Sequence, residues 1–378
     1  MELKVLSLFC GCGGFDLGAR GGFKSNGFLF PQLPIKIQAG YDLDKDCIKT
    51  ASLNADKSEK ESYIQKDVTE IVWRKETYPV DLLVAGFPCQ PFSNAGNREG
   101  VDDRKGRGGL FQVVELFLKS RPLKKRPKWV ILENVKGILS SKFNSKKTVP
   151  DEILFRLKKL GYNSLSPELI KCEQLGIPQQ RHRVIFVACR KDLKLKFCFK
   201  RMALRVPDEM FRAQTLKHVL PGADKQTHGK DVWDLSPQAL YMAQRIKRSW
   251  KDIPYDLLPI RFKKIRDQMK KYHAPNFYRR FGFNEINGTI TASAQPENCG
   301  ILHPQHNRRF TVREIARIQT FPDSFNFDFS RIDSAYKMVG NAIPPALAWL
   351  LTAEILFGMN IAVKNISCLK KTEFSLEP

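Results

Sequence analysis

Short apolar runs alternate with helical patterns through the first half of the chain. The runs at 3–8, 35–41, 81–85, 129–133 and 184–188 are each bounded by turn residues, which predicts buried strands. Between them the apolar spacing predicts helices at 110–119 and 150–160. Strand and helix in alternation mark a parallel α/β sheet. Beyond about Arg190 the rhythm fades. The segment up to Thr289 holds Pro207, Pro221, Pro237, Pro254, Pro259 and Pro275 among scattered aromatics, and reads as a smaller, less regular domain. Order returns at Thr311, which forms a capping box with Glu314 at the head of a helix. A last helix is predicted at 346–356, after Pro344-Pro345. The division is therefore 1–190, completed by 330–378, with 191–329 as the second domain. No internal repeat interrupts it.

Composition adds two bounds. Hydrophobic residues make up 42% of the 378, enough for a substantial core. No run approaches the ~20 apolar residues of a membrane span, and the start Met1-Glu2-Leu3-Lys4 lacks the marks of a signal peptide. Nine cysteines at irregular spacing fit a reducing, cytoplasmic setting. Cys10 and Cys12 have no second ligand cluster beside them, so no metal is expected. The net charge of +24 calls for a polyanionic partner, nucleic acid before membrane. Residues 191–290 hold 22 Lys and Arg against 10 Asp and Glu, a net of +12, so the second domain carries half of the surplus.

The candidate chemistry sits at predicted strand ends. Pro88-Cys89-Gln90 follows the strand 81–85, which puts a thiol at the carboxyl edge of the sheet as a candidate nucleophile. Glu133-Asn134-Val135 ends a neighbouring strand and sets an acid beside it. The turn Phe9-Cys10-Gly11-Cys12-Gly13-Gly14 departs from GxGxxG and suits a carboxylate or nucleoside better than a phosphate. Asp42, before Leu43, and Asp67 end two further strands, where an acid can hold ribose hydroxyls or an adenine amino group. Arg181 and Arg183 alternate with His182, so an extended chain sets both on one face.

In order, these motifs resemble the C5-cytosine DNA methyltransferases of restriction-modification type. The matching segments are Phe9 to Gly14, Pro88-Cys89-Gln90, Glu133-Asn134-Val135, Gln179-x-Arg181-x-Arg183, 311–325 and Gly340-Asn341-Ala342-Ile343-Pro344-Pro345. The resemblance covers nearly everything outside the basic middle segment. It implies a Rossmann-like sheet that binds S-adenosyl-L-methionine, with the basic domain recognising duplex DNA. It implies that Cys89 adds to cytosine C6, that Glu133 bonds the N3 and amino edge, and that Arg183 binds O2 with Arg181 in support. The cofactor set it implies is Phe9, Gly11, Gly13, Gly14, Asp42, Leu43, Asp67, Pro88 and Asn341. Family members often carry a bulky aromatic where Leu43 stands, which implies weaker adenine packing here.

On the DNA side the candidates are Gln90, Ser93, Arg104, Gln179 and Thr289, with Asn276, Arg279 and Arg280 as base readers, since Asn can read adenine and Arg guanine. The glycine-rich stretch 93–109 is expected to close over the target base. A bacterial monomer is expected, with any partner endonuclease encoded separately. The segment 22–34 has no assigned role. Three alternatives stay open: the same chemistry on transfer RNA, a catalytically silent DNA binder, and an NAD-dependent dehydrogenase. The long basic domain argues against the first, the intact Cys89, Glu133, Arg181 and Arg183 against the second, and Pro88-Cys89-Gln90 against the third.

Overall fold

The structure, a computed structural model, describes residues 2–87, 110–268 and 276–361. Strand β1 (Leu3–Leu8) leads into helix α1 (Gly14–Arg20), a hairpin of β2 (Phe23–Ser25) and β3 (Phe28–Phe30), then β4 (Ile35–Asp42) and α2 (Lys45–Leu53). Next come β5 (Tyr63–Gln65), β6 (Leu82–Ala85), α3 (Leu110–Lys119), β7 (Trp129–Val135) and α4 (Val149–Lys159). Strands β8 (Tyr162–Ser164), β9 (Glu168–Lys171), β10 (Gln179–Gln180) and β11 (His182–Arg190) finish the sheet region. The basic segment holds short helices α5 (Phe199–Ala203), α6 (Asp208–Arg212), α7 (Leu216–Val219), α8 (Pro237–Arg245) and α9 (Ile260–Asp267), and strand β12 (Asn287–Gly288). Helices α10 (Val312–Ile318), α11 (Ile332–Asn341) and α12 (Pro345–Gly358) follow.

The main sheet runs β5-β4-β1-β6-β7-β11-β8, with β9 also on β11. From β5 to β7 all pairs are parallel. Their apolar runs are buried on both faces: β6 is Leu-Leu-Val-Ala, wholly buried. The expected all-parallel sheet needs one correction. Strand β11 is antiparallel to β7, so its first residues, not its last, lie beside the carboxyl end of β7. The order departs in opposite directions from β1, to β4 and to β6, and the crevice at such a switch point is where α/β sheets bind ligands.

Helix α12 packs on α1, the helix that follows β1. A Cβ on Gly18 would stand 2.2 Å from the Pro345 carbonyl, so glycine there permits the close approach. Residues 345–356 of α12 are all buried. The unassigned segment 22–34 is the β2–β3 hairpin, which roofs this contact. Phe23 stacks on Phe30 at 4.7 Å, Phe30 meets Trp349 edge-on at 5.7 Å, and the Trp349 indole donates to the Pro31 carbonyl at 2.8 Å.

The stretch Ile332–Gly358, α11 followed by α12, does meet the length and composition of a membrane span, contrary to the sequence expectation. Its most apolar window is 83% buried inside the fold, as a core helix is. A separate small core joins Ala239, Met242, Trp250, Phe262, Phe277, Tyr278 and Leu302. By contrast, Phe197, Met202, Met210 and Leu216 join the large core together with the residues of α12. Packing therefore changes well after residue 190.

Candidate active site

A cleft of about 470 Å³ opens at the carboxyl ends of β1, β4, β6 and β7. That is a usual size for a small-molecule site. Its nucleoside half is set by the turn after β1. Phe9 has φ 57° and Gly11 φ 55°. The kink turns the Gly11 N–H onto the Asp42 carboxylate at 2.9 Å, while the other Asp42 oxygen accepts from the Asp44 N–H at 2.9 Å. Each oxygen retains a further lone pair for a hydroxyl. Burial raises the Asp42 pKa, and the backbone donors oppose that rise. Phe9, Leu43 (66% exposed) and Asp67 also line the cleft. Asp67 accepts from the Thr69 N–H at 2.9 Å as the cap of a short turn.

Two of the predicted glycines do not reach the cleft. Gly13 caps α1 at φ 81°, its absent Cβ facing Ala51, and Gly14 lies against the Ile343 carbonyl. Both admit neighbouring backbone and do not line the ligand space. Residues that the sequence reading passed over come from α11. Lys337 and Met338 line the cleft with the expected Asn341, and Lys337 Nζ lies 2.8 Å from Asp44, closing the rim. No sequence signal links residues 44 and 337.

The other half of the cleft holds the acid. Glu133, at 8% exposure, is paired with Arg183, Nε to Oε1 at 2.7 Å. The antiparallel β11 makes this possible, because Arg183 faces Val135 across the ladder. The second Glu133 oxygen faces Gly86, 3.6 Å from where a Cβ would stand. Asn134 donates to the Phe87 carbonyl at 3.1 Å. The Glu133-Asn134-Val135 motif thus sets an acid and also anchors the end of β6. Cys89, Pro88, Gln90, Ser93 and Arg104 lie outside the described residues; Cys89 follows Phe87 by two positions in the sequence.

Several predicted contacts are reassigned. Arg181 is wholly buried and donates to the carbonyls of Ile290, Gly340 and Ala342 at 2.9 to 3.0 Å. Burial, then the neighbouring Arg183, lower its pKa to about 9. Its side chain ties β10–β11 to the segments at 290 and 340–342. Gln179, also fully buried, donates to Gln319 and accepts from the Ile290 N–H at 2.8 Å each. Arg280 is buried, with its fork on the carbonyls of Ala243, Ile246, His303 and His306. Thr289 donates to the Gln180 carbonyl beside the β10–β12 pair. Asn276 is half-buried and Arg279 is 37% exposed. No group of three or more His, Cys, Asp or Glu with metal-binding arrangement occurs among the described residues.

Comparison with known proteins agrees with this architecture. The family model "C-5 cytosine-specific DNA methylase" matches residues 3–356. The type II methyltransferase M.NgoPII of Neisseria gonorrhoeae is 32% identical, over 93% of this chain and 95% of its own. M.PspPI of Psychrobacter sp. is 30% identical, over 96% and 81%. The crystal structure of the S. pombe Dnmt2 methyltransferase shares the fold, with TM-score 0.64 at 16% identity, over 95% of this chain and 100% of its own. The chain belongs to the C-5 cytosine-specific DNA methylase family and is a DNA (cytosine-5-)-methyltransferase of the type II modification kind.

Proposed function

We propose that this enzyme moves a methyl group from S-adenosyl-L-methionine to C5 of a cytosine flipped out of a short, specific duplex sequence. The observation that carries the reading is the Glu133–Arg183 pair at the end of β7, in one cleft with Phe9, Asp42 and Asp67. The donor set suits the cofactor: Phe9 for the adenine face, Asp42 for the ribose, Asp67 for the adenine amino group, and Gly11 and Asn341 for the methionine end. When bound, the cofactor supplies an electrophilic methyl on a sulfonium.

The chain's own residues do the rest. Cytosine C5 is a poor nucleophile until a thiolate adds at C6. Cys89 forms that bond, and C5 then carries enamine character. Glu133 bonds the N3 and amino edge, and Arg183 holds O2 as charge develops there. After transfer, the C5 proton leaves and the Cys89–C6 bond breaks, which restores the ring and the thiol. None of this can occur inside a stacked duplex, so the base leaves the stack at a cost of a few kcal/mol. The basic segment would act as the target-recognition domain. A cytoplasmic bacterial monomer, with a partner endonuclease encoded separately, completes the reading.

Expression in a host without C5 methylation, followed by bisulfite sequencing, tests the function. Cytosines within one short motif are expected to resist conversion. Uniform conversion with folded protein present would move the activity to RNA or leave a silent DNA binder. The cofactor half has its own test. Asp42→Ala removes the proposed ribose acceptor and the Gly11 partner, and S-adenosylmethionine is expected to bind ~10- to 100-fold more weakly by calorimetry. An unchanged dissociation constant would take Asp42 out of the ribose site.

A further inference from the structure

The basic segment contains two arginines whose geometry is fixed by one acid. Arg248 and Arg279 stand on adjoining extended segments, joined by the antiparallel bridge Ser249–Arg279 and by Trp250 N–H to the Tyr278 carbonyl at 3.1 Å. Glu285 is ion-paired with both: Arg248 Nη2 lies 2.8 Å from Oε2, and Arg279 Nη2 donates to Oε1 at 2.9 Å. The acid is itself held by the Gly282 N–H at 2.6 Å. The Arg279 guanidinium carbon sits 4.3 Å from the centre of the Phe281 ring. Phe281 is buried against β12, where a Cβ on Gly288 would come within 2.8 Å of the ring.

The adjacent Arg280 turns inward and anchors its strand on backbone carbonyls, so the chain alternates one structural arginine with one presented arginine. Arg279 and Arg248 remain 37% and 70% exposed. Among the described residues, Glu285 is the acid paired with each, and Arg279, which spends one Nη2 hydrogen on it, has further N–H donors for a ligand. An ion pair this exposed contributes little to stability, so stability does not account for two cations on one acid. Position also favours a functional role. Gly288 pairs with Gln180 across β10–β12, Arg181 follows on the Ile290 carbonyl, and Arg183 two residues later holds Glu133.

We propose that Arg279 reads a guanine of the target sequence by a bidentate contact to N7 and O6, with Glu285 and Arg248 as its positioning residues. The proposal rests on the reading of this chain as a sequence-specific methyltransferase. An oriented, stacked guanidinium matches the paired acceptors of guanine in the major groove, whereas a free surface arginine would serve a phosphate equally well.

The test begins with the motif found by bisulfite sequencing, whose guanines on both strands are the candidate contacts. Synthetic duplexes then carry 7-deazaguanine at each guanine in turn, which deletes the N7 acceptor. Wild-type enzyme is expected to lose about tenfold to a hundredfold in kcat/KM at one of these positions. Arg279→Ala should be insensitive to that replacement and should accept other bases at the same position. Glu285→Gln should weaken the discrimination without abolishing methylation. If Arg279→Ala does not fold, Arg279→Lys serves, because it keeps the charge and loses the fork. A variant that keeps the wild-type motif and the wild-type penalty overturns the proposal alone, as does a wild-type enzyme with no penalty anywhere. Absence of methylation by the wild type would overturn the underlying reading as well.

Discussion

Cys89→Ser is expected to reduce methylation by at least about 10⁴-fold while the cofactor dissociation constant stays within twofold. A serine hydroxyl is a far weaker nucleophile than a thiolate at neutral pH. The cofactor half of the cleft is built on the turn after β1 and on α11, so cofactor binding should survive the substitution. Single-turnover assays on a duplex containing the motif would measure the first quantity and calorimetry the second. Activity above one per cent of wild type would remove Cys89 from the role of nucleophile. Joint loss of activity and cofactor binding would point to a folding defect.

Arg181→Met is expected to destabilise the protein by about 2 kcal/mol or more and to lower kcat with it. The long apolar side chain fills most of the space, but two buried carbonyls, of Ile290 and Gly340, lose this donor, while that of Ala342 keeps Gln319 Nε2 at 3.4 Å. Each unsatisfied buried acceptor costs ~1–3 kcal/mol. Removing a buried charge returns part of this, and Nε already lacks a partner among the described residues. The net sign still follows from the count of orphaned carbonyls. Denaturant unfolding measures the stability, and an unchanged midpoint would mean that the three segments are held together by other contacts. Cofactor affinity should barely change, because Arg181 does not line the cleft.

The sheet could be read from the sequence where burial on both faces writes a continuous apolar run, as in 82–85 and 129–132. The strand ends followed, and so did the neighbouring positions of Glu133 and the strand that leads to Cys89. What escaped depended on distant contacts. The direction of β11 is fixed by ladder pairing, and a run of Val and Ile carries no sign of direction. Lys337 joins Asp44 across 293 residues of the chain. The arginines were separable by type and not by role. Arg181 and Arg280 bury their forks in carbonyls, whereas Arg183 and Arg279 present theirs, and strand alternation alone does not say which face is inner.

The contact of Trp349 with Pro31 spans 318 residues. At the ~5–20 residues per second of synthesis, the hairpin waits roughly 15–60 s on the ribosome for the helix that it covers. Through that interval Phe23 and Phe30 have no Trp349 to pack on, in a nascent chain whose middle is strongly cationic. The contact that closes the hairpin over α12 can therefore form only after most of the polypeptide has emerged.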